Sequence, residues 1–114
     1  MTIRGVLGAS LVDYQTGLTV NSVGRQPLDD DQVTAAGVGN VVSATIGDAP
    51  FASPGIARRL DDIVLTASNG YHLVYFVGSR HSLLVLYVWL DRIVGNLAMT
   101  QRRIHSLTDG LVPA

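Results

Sequence analysis

Few residues in this chain have the type and spacing to do chemistry. Asp91 and Arg92 follow the apolar run Leu83–Leu90. At a pocket such a pair could orient a substrate. At the end of a strand it makes a turn, and Asn96 downstream suits the cap of a following helix, so the turn is the preferred reading. His72, His81 and His105 are far apart in sequence, without an i, i+4 pair or an acidic partner at metal-ligand spacing. His72 alternates with Val74 and Phe76, as a hydrogen-bonded core or edge histidine would. Asp29, Asp30 and Asp31 could gather a cation. Ahead of a helix, the same carboxylates accept the free first-turn N–H groups and face the positive end of the dipole. Ser10, Ser43 and Ser53 could act as nucleophiles only with a base beside them. Gly8-Ala9-Ser10-Leu11 lacks the glycine after the serine that a nucleophile elbow requires. Gly37-Val38-Gly39 has neither the third glycine of a dinucleotide loop nor the lysine of a phosphate loop. These residues give no catalytic, metal or cofactor site.

Composition narrows the classes further. The chain has 114 residues, fitting one domain over 1–114 with a core of its own. Without cysteine, there is no disulfide and no thiol chemistry. Every base is Arg and every acid Asp, and the net charge is −1. That balance lacks the basic footprint of a nucleic-acid binder. A charged fraction of 15% is low against about 25% in typical domains. A weakly charged surface of this size suits a chain that covers part of itself with a partner. The opening residues show no apolar core of a secretory signal. The Leu83–Leu90 run is too short for a membrane helix, which needs about 20 apolar residues.

The elements that must carry these residues follow from periodicity. Arg4 to Val23 reads as a hairpin, with Leu7, Ala9 and Leu11 on one face and Val6, Gly8, Ser10 and Val12 on the other. Asp13 and Gly17 make its turn. A helix is expected over about 31–46, with Val33, Ala36, Gly37, Val41, Ala44 and Ile46 among its apolar positions. Gly37 and Gly39 cost that helix roughly 1 kcal/mol each relative to Ala, and close approach of another backbone explains them. Ala36, Gly37, Asn40 and Ala44 leave a stripe of small residues fit to pack on a second helix. After a loop over 47–59 tipped by Arg58 and Arg59, a strand over 60–68 and a return strand over 71–77 flank Asn69-Gly70, a two-residue turn signal with both φ positive. The run from Leu83 is apolar at every position and rich in Val, Tyr and Trp, so it belongs mid-sheet with both faces covered. Trp89 there needs a partner for its indole N–H. A last helix over about 95–107 turns Leu97, Ala98, Ile104 and Leu107 inward and Arg102 and Arg103 outward. The order is β-β-α-β-β-β-α, an α+β fold whose five-stranded antiparallel sheet carries helices on its faces.

Order and local words together resemble the Roadblock family. The words are Leu11-Val-Asp13 with Gly17-Leu18, Ala35-Ala36, Asp62-Ile-Val-Leu65, Asn69-Gly-Tyr-His-Leu73, Leu86-Tyr-Val-Trp-Leu-Asp-Arg92 and Asn96-Leu-Ala-Met99. They span nearly the whole chain, and the likeness is to stand-alone bacterial members. Many members carry an extra helix before the first strand. Met1 to Arg4 leaves no room for one, so one sheet face is expected to be covered by the last helix alone. The resemblance implies a cytoplasmic, non-enzymatic homodimer that binds a small Ras-like GTPase and in some relatives affects hydrolysis. The alternative is a structural dimerisation subunit that ignores nucleotide. It implies dimerisation through the edge strand Asp61, Ile63, Val64, Leu65 and Thr66, and through the helix face Val33, Ala36, Gly37, Asn40, Val41 and Ala44. Arg25, Arg58, Arg59 and Arg80 are loop residues that could reach a GTPase phosphate, although solvation is the simpler role for each. Neither nucleic acid nor membrane insertion is implied.

Overall fold

The computed structural model describes residues 3–47, 62–77 and 84–111, with side chains to 45 in the first segment and to 107 in the last. Five strands form one antiparallel sheet: β1 (Val6–Asp13), β2 (Leu18–Gly24), β3 (Asp62–Ala67), β4 (Gly70–Phe76) and β5 (Leu84–Leu90). Their spatial order is β2-β1-β5-β4-β3. Helix α1 (Asp31–Gly47) lies over β1 and β2 on one face, and α2 (Leu97–Leu111) lies over β4 on the other. A single 3₁₀ turn, Pro27–Asp29, precedes α1. The expected order and sheet are those observed, and β5 is the buried central strand that its unbroken apolar run requires.

The side-chain period of two sorts the core into two layers. Val12, Val74, Val85, Tyr87 and Trp89 meet Ala35, Val38 and Val42 of α1. Ala9, Leu73, Tyr75, Val88 and Leu90 meet Ile104 of α2. The register of β1 shifts between Val6 and Gly8 opposite β5. That irregularity sends Leu7 to the α1 layer and Val6 to the α2 layer, so the expected grouping of Leu7 with Ala9 is corrected.

The turns follow local chemistry. Asp13 Oδ1 accepts from the N–H groups of Gln15 and Thr16 at 3.0 and 3.2 Å, and Gly17 takes φ 73°. Asp30 Oδ1 accepts from Gln32 and Val33 N–H, which makes it the N-cap of α1. Asn96 caps α2 through Met99 N–H. Two expectations fail in detail. The β3–β4 loop consists of Ser68 and Asn69, because Ala67 pairs with Gly70. Gly70 opens β4 at φ 137°, and Asn69 has no positive φ. A side chain at Gly70 would collide with Leu90 O and Trp89 Nε1, so glycine is needed there for space as well as for conformation. On α2, Ala98 and Leu107 face solvent, and Thr100 is buried near Ile104.

Candidate interaction surface

The core face of α1 consists of Ala35, Val38 and Val42, which the spacing argument did not single out. The stripe that it did single out lies elsewhere on the helix. Val33, Ala36, Gly37, Asn40 and Ala44 are exposed and Val41 is half-buried. A helix that is apolar all round needs cover on more than one side. Here the second side has none among the described residues. The two glycines also separate. A Cβ on Gly39 would sit 3.2 Å from Tyr14 O and 3.4 Å from Gly17 Cα, so the β1–β2 turn is the close backbone that this position admits. A Cβ on Gly37 would meet nothing within 4 Å.

Between α1 and the β3–β4 side of the sheet runs an apolar groove of about 330 Å³. Val33, Gly37 and Val41 form one wall and Leu65 of β3 the other, so it gathers four of the residues expected to carry an interface. The two predicted sets, helix and edge strand, therefore meet in one depression. The remaining positions divide. Ala36, Asn40 and Ala44 lie on the exposed side of α1. Ile63 packs with the α1 layer and Val64 with the α2 layer. Thr66 is exposed, and Asp61 lies outside the described residues. β3 is an end strand of the sheet and pairs only with β4 among the described elements.

The floor of the groove is polar at one point. His72 and Tyr87 line it, with Nδ1 of His72 2.7 Å from the Tyr87 hydroxyl. His72 Nε2 lies 2.8 Å from Asn69 Oδ1. The neutral ring satisfies both, with Nδ1 accepting from Tyr87 and Nε2–H donating to Asn69. Burial lowers the His72 pKa below 6.5 and raises that of the Tyr87 phenol, which keeps both uncharged at neutral pH. Trp89 stacks on His72 at 6.4 Å between centroids and donates its indole N–H to Asn69 O at 2.9 Å. The Arg25 guanidinium lies 5.5 Å from the centre of the Trp89 ring. His72 is thus the hydrogen-bonded histidine that the alternation implied.

Leu28, on the rim, escaped the sequence reading. It is 86% exposed at φ 58°, followed by Asp29 at φ 52°. Left-handed backbone costs a non-glycine residue on the order of 1–2 kcal/mol, and a large exposed apolar side chain compounds the anomaly. The loop beneath is held firmly. Ser10 Oγ donates to Gln26 Oε1 at 2.8 Å, both residues being buried, and Arg25 N–H donates to Leu7 O at 2.9 Å. Ser10 thus serves as an anchor for this loop.

The other candidate residues resolve into structure. Asp91 Oδ1 accepts from Ile93 and Val94 N–H at 2.7 and 2.8 Å, and those bonds lower its pKa. Arg92 donates to Ala67 O at 3.0 Å and covers the Tyr71 ring. His105 sits 3.0 Å from Asp62, tying α2 to β3. Among the described residues no group of three His, Cys, Asp or Glu could hold a metal, and no helix is long and apolar enough to cross a membrane. Arg58, Arg59, Arg80, His81 and Ser53 lie outside the described residues.

No family model matches the chain, and no curated protein matches it. Among solved structures it is similar to Myxococcus xanthus MglB. The match has a TM-score of 0.73 and 24% identity, and covers 91% of this chain and 78% of that one. The fold is of the Roadblock type. At this identity the likeness concerns architecture: one five-stranded antiparallel sheet with a helix on each face.

Proposed function

We propose that this Roadblock-type chain is a non-enzymatic homodimeric adaptor or regulator that binds a small Ras-like GTPase. The observation that carries the proposal is the apolar groove where Val33, Gly37 and Val41 of α1 face Leu65 of the end strand β3. Two-fold pairing of β3 with its copy would continue the sheet and remove an unpaired edge. The same pairing would bring each α1 to the other's groove, where the absence of a side chain at Gly37 lets helices approach. The GTPase is what the Roadblock resemblance implies for the surface so formed. Its work would be done by shape and by residues displayed on a dimer.

Affinity capture from the source cell, run in parallel with a non-hydrolysable GTP analogue and with GDP, tests the partner. Enrichment of a Ras-like GTPase in one nucleotide state supports the reading. The apolar lining of the groove also favours a second reading, a permanent structural subunit, since such interfaces resemble a divided core. Capture of one large complex regardless of nucleotide would select that reading.

A further inference from the structure

Among the described residues, one helix lies over the α2 face of the sheet. Five strands about 4.8 Å apart span roughly 19 Å between outer strand axes, and one helix covers about 10 Å. α2 lies over β4. Ala9, Val88 and Leu90 pack with Ile104 of α2, and beyond them the β1–β2 edge of that face carries no described element. There Leu11 and Leu86 are half-buried and Val23 is 58% exposed, around a shallow depression of about 160 Å³. A separate cleft of about 540 Å³ lies at the start of β1, beside the N-terminal half of α2. Ile3, Val94 and Met99 give it apolar walls, and Arg4 and Arg103 stand at its margin. Met99 is 66% exposed.

Among the described residues, the charge at this cleft is unpaired. Arg4, Arg102 and Arg103 are exposed and make no hydrogen bond or ion pair with a described residue. The neighbouring carboxylate, Asp91, is already engaged by the N–H groups of Ile93 and Val94. The positive end of the α2 dipole adds to the field. An occupant that suits this strip has the width of one helix, an apolar face toward Leu11, Leu86 and Met99, and carboxylates toward the arginines.

We infer that the open part of the α2 face is a docking groove for an acidic amphipathic helix of a partner protein, laid beside α2 with its carboxylates on Arg4 and Arg103. This site lies on the opposite sheet face from the α1 groove and does not rest on the GTPase reading. A cleft with two arginines at its margin, and an apolar depression farther along β1 beside α2, suit an elongated occupant such as a helix better than a flat lipid surface, which would have no use for the cleft.

The test uses the full chain and three probes. The first is a designed helix of about 18 residues, roughly 27 Å long, with a Leu and Ala face and Glu on its flanks. The second is the same peptide with Lys replacing each Glu. The third is vesicles of phosphatidylcholine and phosphatidylserine. The Glu peptide should bind, with amide shifts concentrated at Ile3, Leu11, Leu86 and Met99 and little change at Val33 or Leu65. Arg4→Glu combined with Arg103→Glu should weaken it about tenfold or more by placing like charges together. Both sites are exposed, so the fold should persist, as circular dichroism would verify, and Met99→Ser gives a second, charge-neutral weakening. Equal binding of the Lys peptide, shifts confined to the α1 groove, binding of vesicles without the Glu peptide, or no binding by any probe would each overturn the proposal.

Discussion

The two helices bury themselves in different ways. α2 directs Ile104 and Thr100 to the sheet and Arg102 and Arg103 to water, so its core-facing and charged sides are distinct. α1 directs Ala35, Val38 and Val42 to the sheet and still shows Val33, Ala36, Gly37 and Ala44 outside. No Lys, Arg or Glu occurs in α1, and its sole Asp stands in the first turn. The difference teaches where cover is missing. On the α2 side the uncovered area is sheet surface next to the helix. On the α1 side it includes the helix itself.

The largest expected effect belongs to the core between α2 and the sheet. Ile104 is fully buried beneath α2, so Ile104→Ala should cost about 2–5 kcal/mol in urea unfolding by removing side-chain contacts and leaving a cavity. Its solution mass should stay that of wild type. A parallel drop in mass would mean that α2 also carries the assembly, and the contrast between the helices would fail.

Next in size is a change at the α1 groove. Leu65 is 43% exposed and lines the groove. Leu65→Arg should leave the single chain folded and weaken self-association at least about tenfold by putting an unpaired charge into an apolar contact. Sedimentation equilibrium reads this directly. Val64, its neighbour, is the poorer choice because it packs into the α2 layer, where a charge would disturb the core as well. Unchanged mass across concentrations in both wild type and variant would remove the two-fold edge pairing.

How much of this could be read beforehand divides along the same line. Alternation and turn chemistry give the order of the strands along the chain, the Asp13 turn, a capping carboxylate among Asp29, Asp30 and Asp31, and the central place of β5, because these depend on neighbours in sequence. The facing of Leu7 could not be read, since the irregularity between Val6 and Gly8 answers to the partner strand β5. Nor could the core face of α1. A helix with apolar or small residues on nearly every side has no periodic signal to separate Val38 from Val41. On that helix the expected interface was legible as small residues, but its opposite wall, Leu65, needed the sheet to bring it there. Leu28 gave no signal, because its left-handed backbone is imposed by a loop held through Ser10 and Gln26.

A smaller effect with the opposite sign sharpens the comparison. A side chain at Gly37 meets nothing in the single chain. Gly37→Leu should therefore stabilise the isolated chain by roughly 0.5–1 kcal/mol through helix propensity while lowering the fraction of dimer. Thermal unfolding at a dilution where the wild type is monomeric separates the two effects. Gly39→Leu is the control, since the nearby Tyr14 carbonyl and Gly17 backbone make it destabilising. Identical responses at both glycines would show that Gly37 has no special exposure.

The smallest effect is a pH dependence specific to the α1 side. His72, under that groove, is held neutral by burial, with a folded pKa below its ordinary 6.5. The unfolded chain then binds more protons between the two values, so stability is fully present above about pH 6.5 and declines as pH falls toward the folded pKa. His105, on the other side, lies 3.0 Å from Asp62. The urea midpoint should fall modestly from pH 7.5 to pH 5.5, pH values that bracket the ordinary histidine pKa of about 6.5. His72→Asn should flatten that decline while lowering the plateau, because the bonds to Tyr87 and Asn69 are lost. If instead His72→Asn leaves the decline intact, the assignment of the acid-sensitive side to the groove is wrong.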